Sequence, residues 1–114
     1  KGQVMGGVAQ GIGQAMGEHS AYDLNTGQLI SGSLSDYLVP RAANLSDFEI
    51  HFQGSATSAN PLGVKGAGQA GAIAAPQTIV NAILDALSPL GIEHINMPLT
   101  SENIWRAIQT VKAS

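Results

Sequence analysis

Hydrophobic positions near the start of the chain recur every four residues. Val4, Val8, Ile12 and Met16 form this series, and several glycines lie between them. The spacing predicts the apolar face of a helix, although each interior glycine costs up to ~1 kcal/mol relative to alanine. We therefore predict a glycine-rich helix that recovers this cost by close packing, either against another helix or against a bulky ligand.

Two further apolar stripes predict two more helices. The first follows Pro76, which suits the first turn of a helix, and ends at Ser88-Pro89; its apolar positions are Ile79, Val80, Ile83, Leu84 and Leu87. The second follows Thr100, a good N-cap, and its apolar positions are Ile104, Ala107, Ile108 and Val111. We expect Trp105 to anchor this last helix to the rest of the chain.

Short extended segments are predicted between the helices. Asn25-Thr26-Gly27 separates two extended runs and is typical of a hairpin turn. Phe48–Phe52 alternates apolar and polar residues, which predicts a half-buried strand, and residues 92–97 predict another short strand. The fold class expected is α+β, with three helices and a few short strands in a single segment over residues 1–114.

Composition narrows the class of protein. Charged residues make up 11% of the chain, against about 25% in an ordinary soluble domain, so we expect other protein to cover much of its surface. A net charge of −3 with five basic residues argues against nucleic-acid binding. The chain has no cysteine, no apolar run of the ~20 residues a membrane helix needs, and no signal-peptide pattern.

A glycine-rich turn, Lys65-Gly66-Ala67-Gly68-Gln69-Ala70-Gly71, precedes the second helix. Such a turn lets a ligand approach the backbone closely. Its spacing also spells Gly-x-Gly-x-x-Gly, the dinucleotide fingerprint, but a proline and a glycine stand where an apolar strand should end. The match is therefore weak evidence for nicotinamide or flavin binding by this turn.

No metal site is predicted within the chain. Asp23-x-Asn25-x-Gly27 begins like a calcium loop, but the twelfth position is Leu34 where a bidentate Glu is required. The histidines at 19, 51 and 94 are scattered without a ligand spacing, and we interpret them as surface or structural residues.

Several motifs follow one another along nearly the whole chain: Gly2-Gln3-Val4-Met5-Gly6-Gly7, Gln10-Gly11-Ile12-Gly13, Tyr22-Asp23, Gly27, Asp36-Tyr37, Pro40, Gly63-Val64-Lys65-Gly66, Asn81-Ala82-Ile83-x-Asp85-Ala86, Met97-Pro98-x-Thr100-Ser101 and Trp105. In this order they resemble the molybdopterin-binding large subunit of the molybdenum hydroxylases, the xanthine dehydrogenase, aldehyde oxidoreductase and carbon monoxide dehydrogenase family. The prokaryotic aldehyde and carbon monoxide enzymes are the more similar branch.

The resemblance implies the C-terminal part of a molybdenum-cofactor-binding subunit that forms one wall of the cofactor pocket. It implies a molybdenum–molybdopterin centre, in the cytosine dinucleotide form, with iron–sulfur clusters and FAD in partner domains or subunits. The substrate would be an aldehyde, an N-heterocycle or a similar small molecule. The location implied is the cytoplasm, with the periplasm as the alternative. Gln3, Lys65, Gly66 and Gly68 match cofactor-binding positions of the family.

Gln69 falls where the family has its catalytic glutamate. An amide keeps the shape of a glutamate but cannot take up a proton, and loss of a general base costs on the order of 10²–10⁴ in rate. Three explanations stay open: an engineered substitution, a branch with altered chemistry, or a degenerate relative. The function expected is thus part of a molybdenum hydroxylase, with a non-catalytic structural relative as the alternative. The isolated chain is expected to be inactive.

Overall fold

The first helix, α1, spans Gly2–Met16, as the four-residue spacing predicts. It belongs to a computed structural model that describes residues 1–113. The apolar stripe of α1 is half-buried at Val4, Val8 and Ile12. The fully buried positions are small instead, namely Gly7, Gly11, Gly13 and Ala15. The helix therefore packs through its glycines rather than through its large side chains.

Glycines bring α1 into close contact with the start of the second helix, α2, which spans Ala75–Leu87. A Cβ placed on Gly11 would lie 2.5 Å from the Cβ of Ala75, and one placed on Gly7 would lie 2.9 Å from the amide nitrogen of Ala72. Neither distance is possible for a real side chain. The close packing predicted for α1 is therefore, in part, packing of helix on helix.

The second helix has the predicted bounds but a less buried face than expected. Pro76 lies buried in its first turn, and a short 3-10 turn, Ser88–Leu90, follows it and stops at Gly91 with φ 77°. The predicted apolar face is only half-buried: Ile79, Val80, Ile83, Leu84 and Leu87. One packed helix, α1, cannot cover that whole face.

The third helix, α3, spans Ser101–Lys112. Its N-cap is confirmed, because the Thr100 hydroxyl oxygen accepts a hydrogen bond from the amide of Asn103 at 3.1 Å. The anchoring role expected for Trp105 is wrong within residues 1–113, since 59% of this residue is exposed. An indole of this size needs a surface to pack against, and the described chain does not provide one.

The hairpin turn is confirmed, but it carries a single β-bridge rather than strands. Tyr22 and Leu29 form an isolated antiparallel bridge, and Gly27 takes the left-handed conformation, with φ 71°. Phe48–Phe52 and residues 92–97 form no strand, contrary to prediction. A strand needs a partner for its backbone groups, and nothing in the described residues pairs with these segments. The three helices and extended segments still match the predicted α+β class.

Few side chains are buried for a chain of this length. Among residues 1–113 the buried apolar residues are Ala15, Ile92 and Leu99. The accessible surface is 8589 Å², whereas a compact monomer of 11.7 kDa exposes about 5,900 Å². The radius of gyration, 18.2 Å, likewise exceeds the ~13 Å of a compact chain. Such an apolar, open surface agrees with the expectation that other protein covers it.

Candidate functional site

The first turn of α1 and the glycine turn of residues 65–71 lie side by side. The side-chain amide of Gln3 donates a hydrogen bond to the carbonyl oxygen of Gly68 at 3.0 Å, between residues 65 positions apart in sequence. Gly71 then lies directly on α1, because a Cβ at this position would collide with the carbonyl oxygen of Val4. The structure therefore brings together the two glycine-rich segments that the sequence singled out.

At four positions around this junction, nothing within the described chain requires the residue to be glycine. A Cβ placed on any of them would meet nothing within 4 Å, and none has a positive φ. We call them the open glycine face; its members are Gly2, Gly6, Gly66 and Gly68. Since glycine costs helix and turn stability, a surface kept free of side chains suits the close approach of a group from outside these residues.

Gln69 follows the hydrogen-bonded carbonyl of Gly68 and is exposed. Its backbone oxygen accepts hydrogen bonds from the amides of Ala72 at 2.9 Å and Ile73 at 3.1 Å. Its side-chain amide makes no hydrogen bond within residues 1–113. The backbone of this residue is thus held in the turn, while both the donor and the acceptor of its amide are free for a partner.

Lys65 enters the turn with its ammonium bonded to the hydroxyl of Ser55, at 3.2 Å. The loop before it is closed by Asn60, whose side chain donates to the carbonyl of Val64 at 2.9 Å and accepts from its amide at 3.2 Å. Gly63 supplies the left-handed residue of this loop, with φ 64°. The sequence reading missed Ser55 and Asn60, although the Asn-Pro pair at 60–61 is a recognised turn signal.

The glycine turn matches the dinucleotide fingerprint in sequence but not in structure. Residues 57–65 form no strand, and α2 begins only at Ala75, four residues after Gly71. The fingerprint requires a strand that runs through the turn directly into a helix. The structural context that the fingerprint needs is therefore missing around this turn.

Asp23 caps the hairpin turn with its side chain. Its Oδ1 accepts hydrogen bonds from the Thr26 hydroxyl at 2.8 Å, the Thr26 amide at 2.7 Å and the Asn25 amide at 3.0 Å. These bonds, that of the Thr26 hydroxyl above all, lower the pKa of Asp23 below its ordinary value. Residues 1–113 contain no cluster of three or more His, Cys, Asp or Glu side chains able to hold a metal ion.

A second side-chain pair joins the end of α1 to the next loop. The Tyr37 hydroxyl donates to Glu18 at 2.7 Å, and this bond, with some burial and the carboxylate charge, raises the pKa of Tyr37. Tyr37 also lines an open groove of about 770 Å³ with Leu34, Leu38 and Arg41. None of the predicted site residues lies in this groove, so its size does not make it the candidate site.

Residues 1–46 match the family described as "Molybdopterin cofactor-binding domain". The chain is 40% identical over 111 residues to the nicotine 6-hydroxylase large subunit of Paenarthrobacter nicotinovorans, covering 97% of this chain and 14% of that protein. The chain belongs to the molybdenum hydroxylase family. The family resemblance drawn from the sequence is thereby confirmed, and the segment matched lies in the molybdopterin-binding large subunit.

Solved structures of molybdenum hydroxylases share the fold of this segment. Quinoline 2-oxidoreductase from Pseudomonas putida 86 superposes with a TM-score of 0.86 at 41% identity, over 95% of this chain and 14% of that one. The Cu,Mo-CO dehydrogenase in its carbon monoxide reduced state superposes with a TM-score of 0.89 at 28% identity, over 97% and 14%. The chain thus spans about one seventh of each relative. No helix among residues 1–113 has the length and apolar character to cross a membrane.

Proposed function

We propose that this segment forms one wall of the molybdopterin pocket in a molybdenum hydroxylase large subunit. The open glycine face carries the proposal: Gly2, Gly6, Gly66 and Gly68 leave bare backbone on both sides of one hydrogen-bonded junction. A bulky pterin approaches closely only where no Cβ stands in its way. The residues present therefore fit the cofactor that the family implies.

The roles of the individual residues follow from the groups they expose. Gly66 and Gly68 would offer backbone atoms to the cofactor, Gln3 its second amide hydrogen, and the Lys65 ammonium a charge that suits a phosphate oxygen. When bound, the molybdenum centre supplies two-electron redox chemistry for hydroxylation of a small substrate. The cytosine dinucleotide form, the iron–sulfur clusters and FAD of partner domains or subunits, and a cytoplasmic location are part of the same proposal.

The substrate class that we propose is an N-heterocycle. Two relatives at 40–41% identity are named for nicotine and quinoline, both nitrogen heterocycles, whereas the carbon monoxide enzyme is 28% identical. Gln69 suits such a substrate in one respect, because its amide can both donate to and accept from ring nitrogens and carbonyl groups. It cannot act as a proton acceptor, so any base must come from elsewhere, including water.

The alternative is a relative that binds cofactor without turnover, and the missing carboxylate at position 69 is what favours it. The discriminating experiment replaces Gln69→Glu in the complete enzyme and measures oxidation of aldehydes and N-heterocycles. A rise of about two orders of magnitude or more supports the enzyme. Unchanged activity with molybdenum bound favours the structural alternative. Gln14→Glu, an exposed glutamine on α1, controls for the added charge.

Cofactor binding is tested separately by filling the open glycine face. Gly68→Val in the complete protein should lower molybdenum content per subunit severalfold, since the new side chain occupies the space kept free. Gly54→Val is the matched control, because a Cβ at Gly54 also meets nothing within 4 Å but Gly54 lies outside the junction. Equal molybdenum content in both variants would count against the proposed pocket wall.

A further inference from the structure

The glycine turn is held to α1 at two points, and Gln69 lies between them. At one end the Gly71 backbone lies against Val4 and Val8. At the other end, within residues 1–113, the hydrogen bond from Gln3 to the carbonyl of Gly68 connects the turn to α1. Within the turn itself the bond from the Ala70 amide to the Ala67 carbonyl is long, at 3.4 Å.

Within the part of the chain that the structure describes, few other hydrogen bonds restrain residues 65–68. Gly66 and Gly68 lack side chains and have no neighbour near a virtual Cβ, and glycine has the widest choice of backbone conformations. The Lys65–Ser55 bond is exposed and involves a long, flexible side chain. Without the Gln3 hydrogen bond, the peptide plane between Gly68 and Gln69 could reorient through changes in the backbone torsions of Gly68. Such a change would alter the direction of the chain just before Gln69.

We propose that Gln3 is a positioning residue that sets the direction of the Gln69 side chain by holding the Gly68 carbonyl. The sequence reading made Gln3 a cofactor contact only; the geometry adds a function within the chain. One amide hydrogen of Gln3 is used on Gly68, which leaves its second hydrogen and its oxygen for other partners. The inference rests on the proposed function only where it assigns a role in turnover to Gln69.

The structural part of the inference is tested by hydrogen–deuterium exchange of the complete, cofactor-loaded protein. Gln3→Leu removes the donor, and Gln3→Glu places a carboxylate opposite the carbonyl at neutral pH. Both variants should speed exchange of amides 66–70 by about two- to tenfold, the range expected for loss of one net hydrogen bond. Gln14→Leu is the matched control, because Gln14 is an exposed glutamine of the same helix whose side chain makes no hydrogen bond to any described residue.

The positioning role is overturned if amides 66–70 exchange at the parent rate in both Gln3 variants. This conclusion does not depend on the molybdenum content of the variants. Molybdenum content, measured on the same samples, reports instead on the proposed pocket wall. The two ideas therefore fail in distinguishable ways.

The functional part is tested by a double-mutant cycle. Gln3→Leu should lower kcat, expressed per bound molybdenum, severalfold with KM unchanged, because it acts through the direction of one side chain. In a Gln69→Ala background, where no side chain is left to direct, Gln3→Leu should have no further effect on kcat. Additive effects of the two substitutions would show that Gln3 does not act through Gln69 and would overturn the inference.

Discussion

The backbone amide of Leu99 donates a hydrogen bond to the carbonyl of Ala15, 2.6 Å away, at a point where both residues are fully buried. Ala15 lies in the last turn of α1, where carbonyl groups have no partner within the helix. A residue that precedes α3 in sequence thus satisfies the end of α1. This contact ties the C-terminal region of the chain to its first helix.

Truncation of the Leu99 side chain should strongly destabilise this region. Leu99→Ala leaves a cavity in a fully buried site, and we expect a loss of about 2–5 kcal/mol in the free energy of unfolding. Leu99→Met keeps the volume and should cost less than about 1.5 kcal/mol. Chemical denaturation of the complete protein measures both values. If Leu99→Ala is no worse than Leu99→Met, the side chain is not packed as described.

Neighbouring glycines of α1 should respond in opposite directions to the same substitution. A Cβ on Gly7 would lie 2.9 Å from backbone of Ala72, whereas one on Gly6 meets nothing within 4 Å. Gly7→Ala must separate α1 from this segment and should destabilise the helix by about 1–3 kcal/mol. Gly6→Ala should stabilise it by up to about 1 kcal/mol.

Amide exchange of α1 in the cofactor-free complete protein provides the measurement for both glycine variants. Protection should fall in Gly7→Ala and rise or stay constant in Gly6→Ala. The same sign of change in both would contradict the assignment of one glycine to packing and the other to open space.

The hydrogen bonds that Asp23 accepts from Asn25 and Thr26 should make the stability of the hairpin turn sensitive to acid. The folded pKa of Asp23 is lowered relative to its ordinary value of 3.8, so the unfolded chain takes up a proton first as the pH falls. The cap therefore contributes stability above about pH 4 and loses it as the pH falls through the folded pKa. Thr26→Val removes the largest cause and should raise the pKa of Asp23 towards its ordinary value.

A carboxyl-carbon NMR titration of aspartate-labelled protein follows this pKa, with Asp23→Asn to assign the resonance. Thr78→Val, whose hydroxyl bonds the Ala74 carbonyl instead, should leave the pKa of Asp23 unchanged. An Asp23 pKa that is the same with and without the Thr26 hydroxyl would refute the cap.

Residues 1–114 expressed alone should neither unfold cooperatively nor retain molybdenum. Their buried apolar residues, within the described range, are Ala15, Ile92 and Leu99, which is far less than the burial needed to offset chain entropy. Thermal circular dichroism should show a broad, shallow change, and elemental analysis should find no stoichiometric metal. A sharp transition together with bound molybdenum would overturn both expectations.

Structural features that are decided by residues close together in sequence could be predicted from the sequence. The spacing of apolar residues predicted all three helices, and the chemistry of Thr100 and of the Asn25–Gly27 turn predicted a helix start and a hairpin. Helix periodicity, capping and left-handed glycine are local effects, decided within a few residues. The motifs likewise sufficed to recognise the molybdenum hydroxylase family.

Other features depended on contacts between distant segments, and no local pattern encodes them. The sequence could not tell that Gly7 is packed while Gly6 is open, because that depends on where Ala72 lies. It predicted strands at Phe48–Phe52 and 92–97 from residue type, but a strand exists only if a partner pairs with it. The sequence by itself determined the three helices, the hairpin turn and the family. Only the tertiary structure decided that Gln3 reaches Gly68, because residues so far apart in sequence are brought together by packing alone.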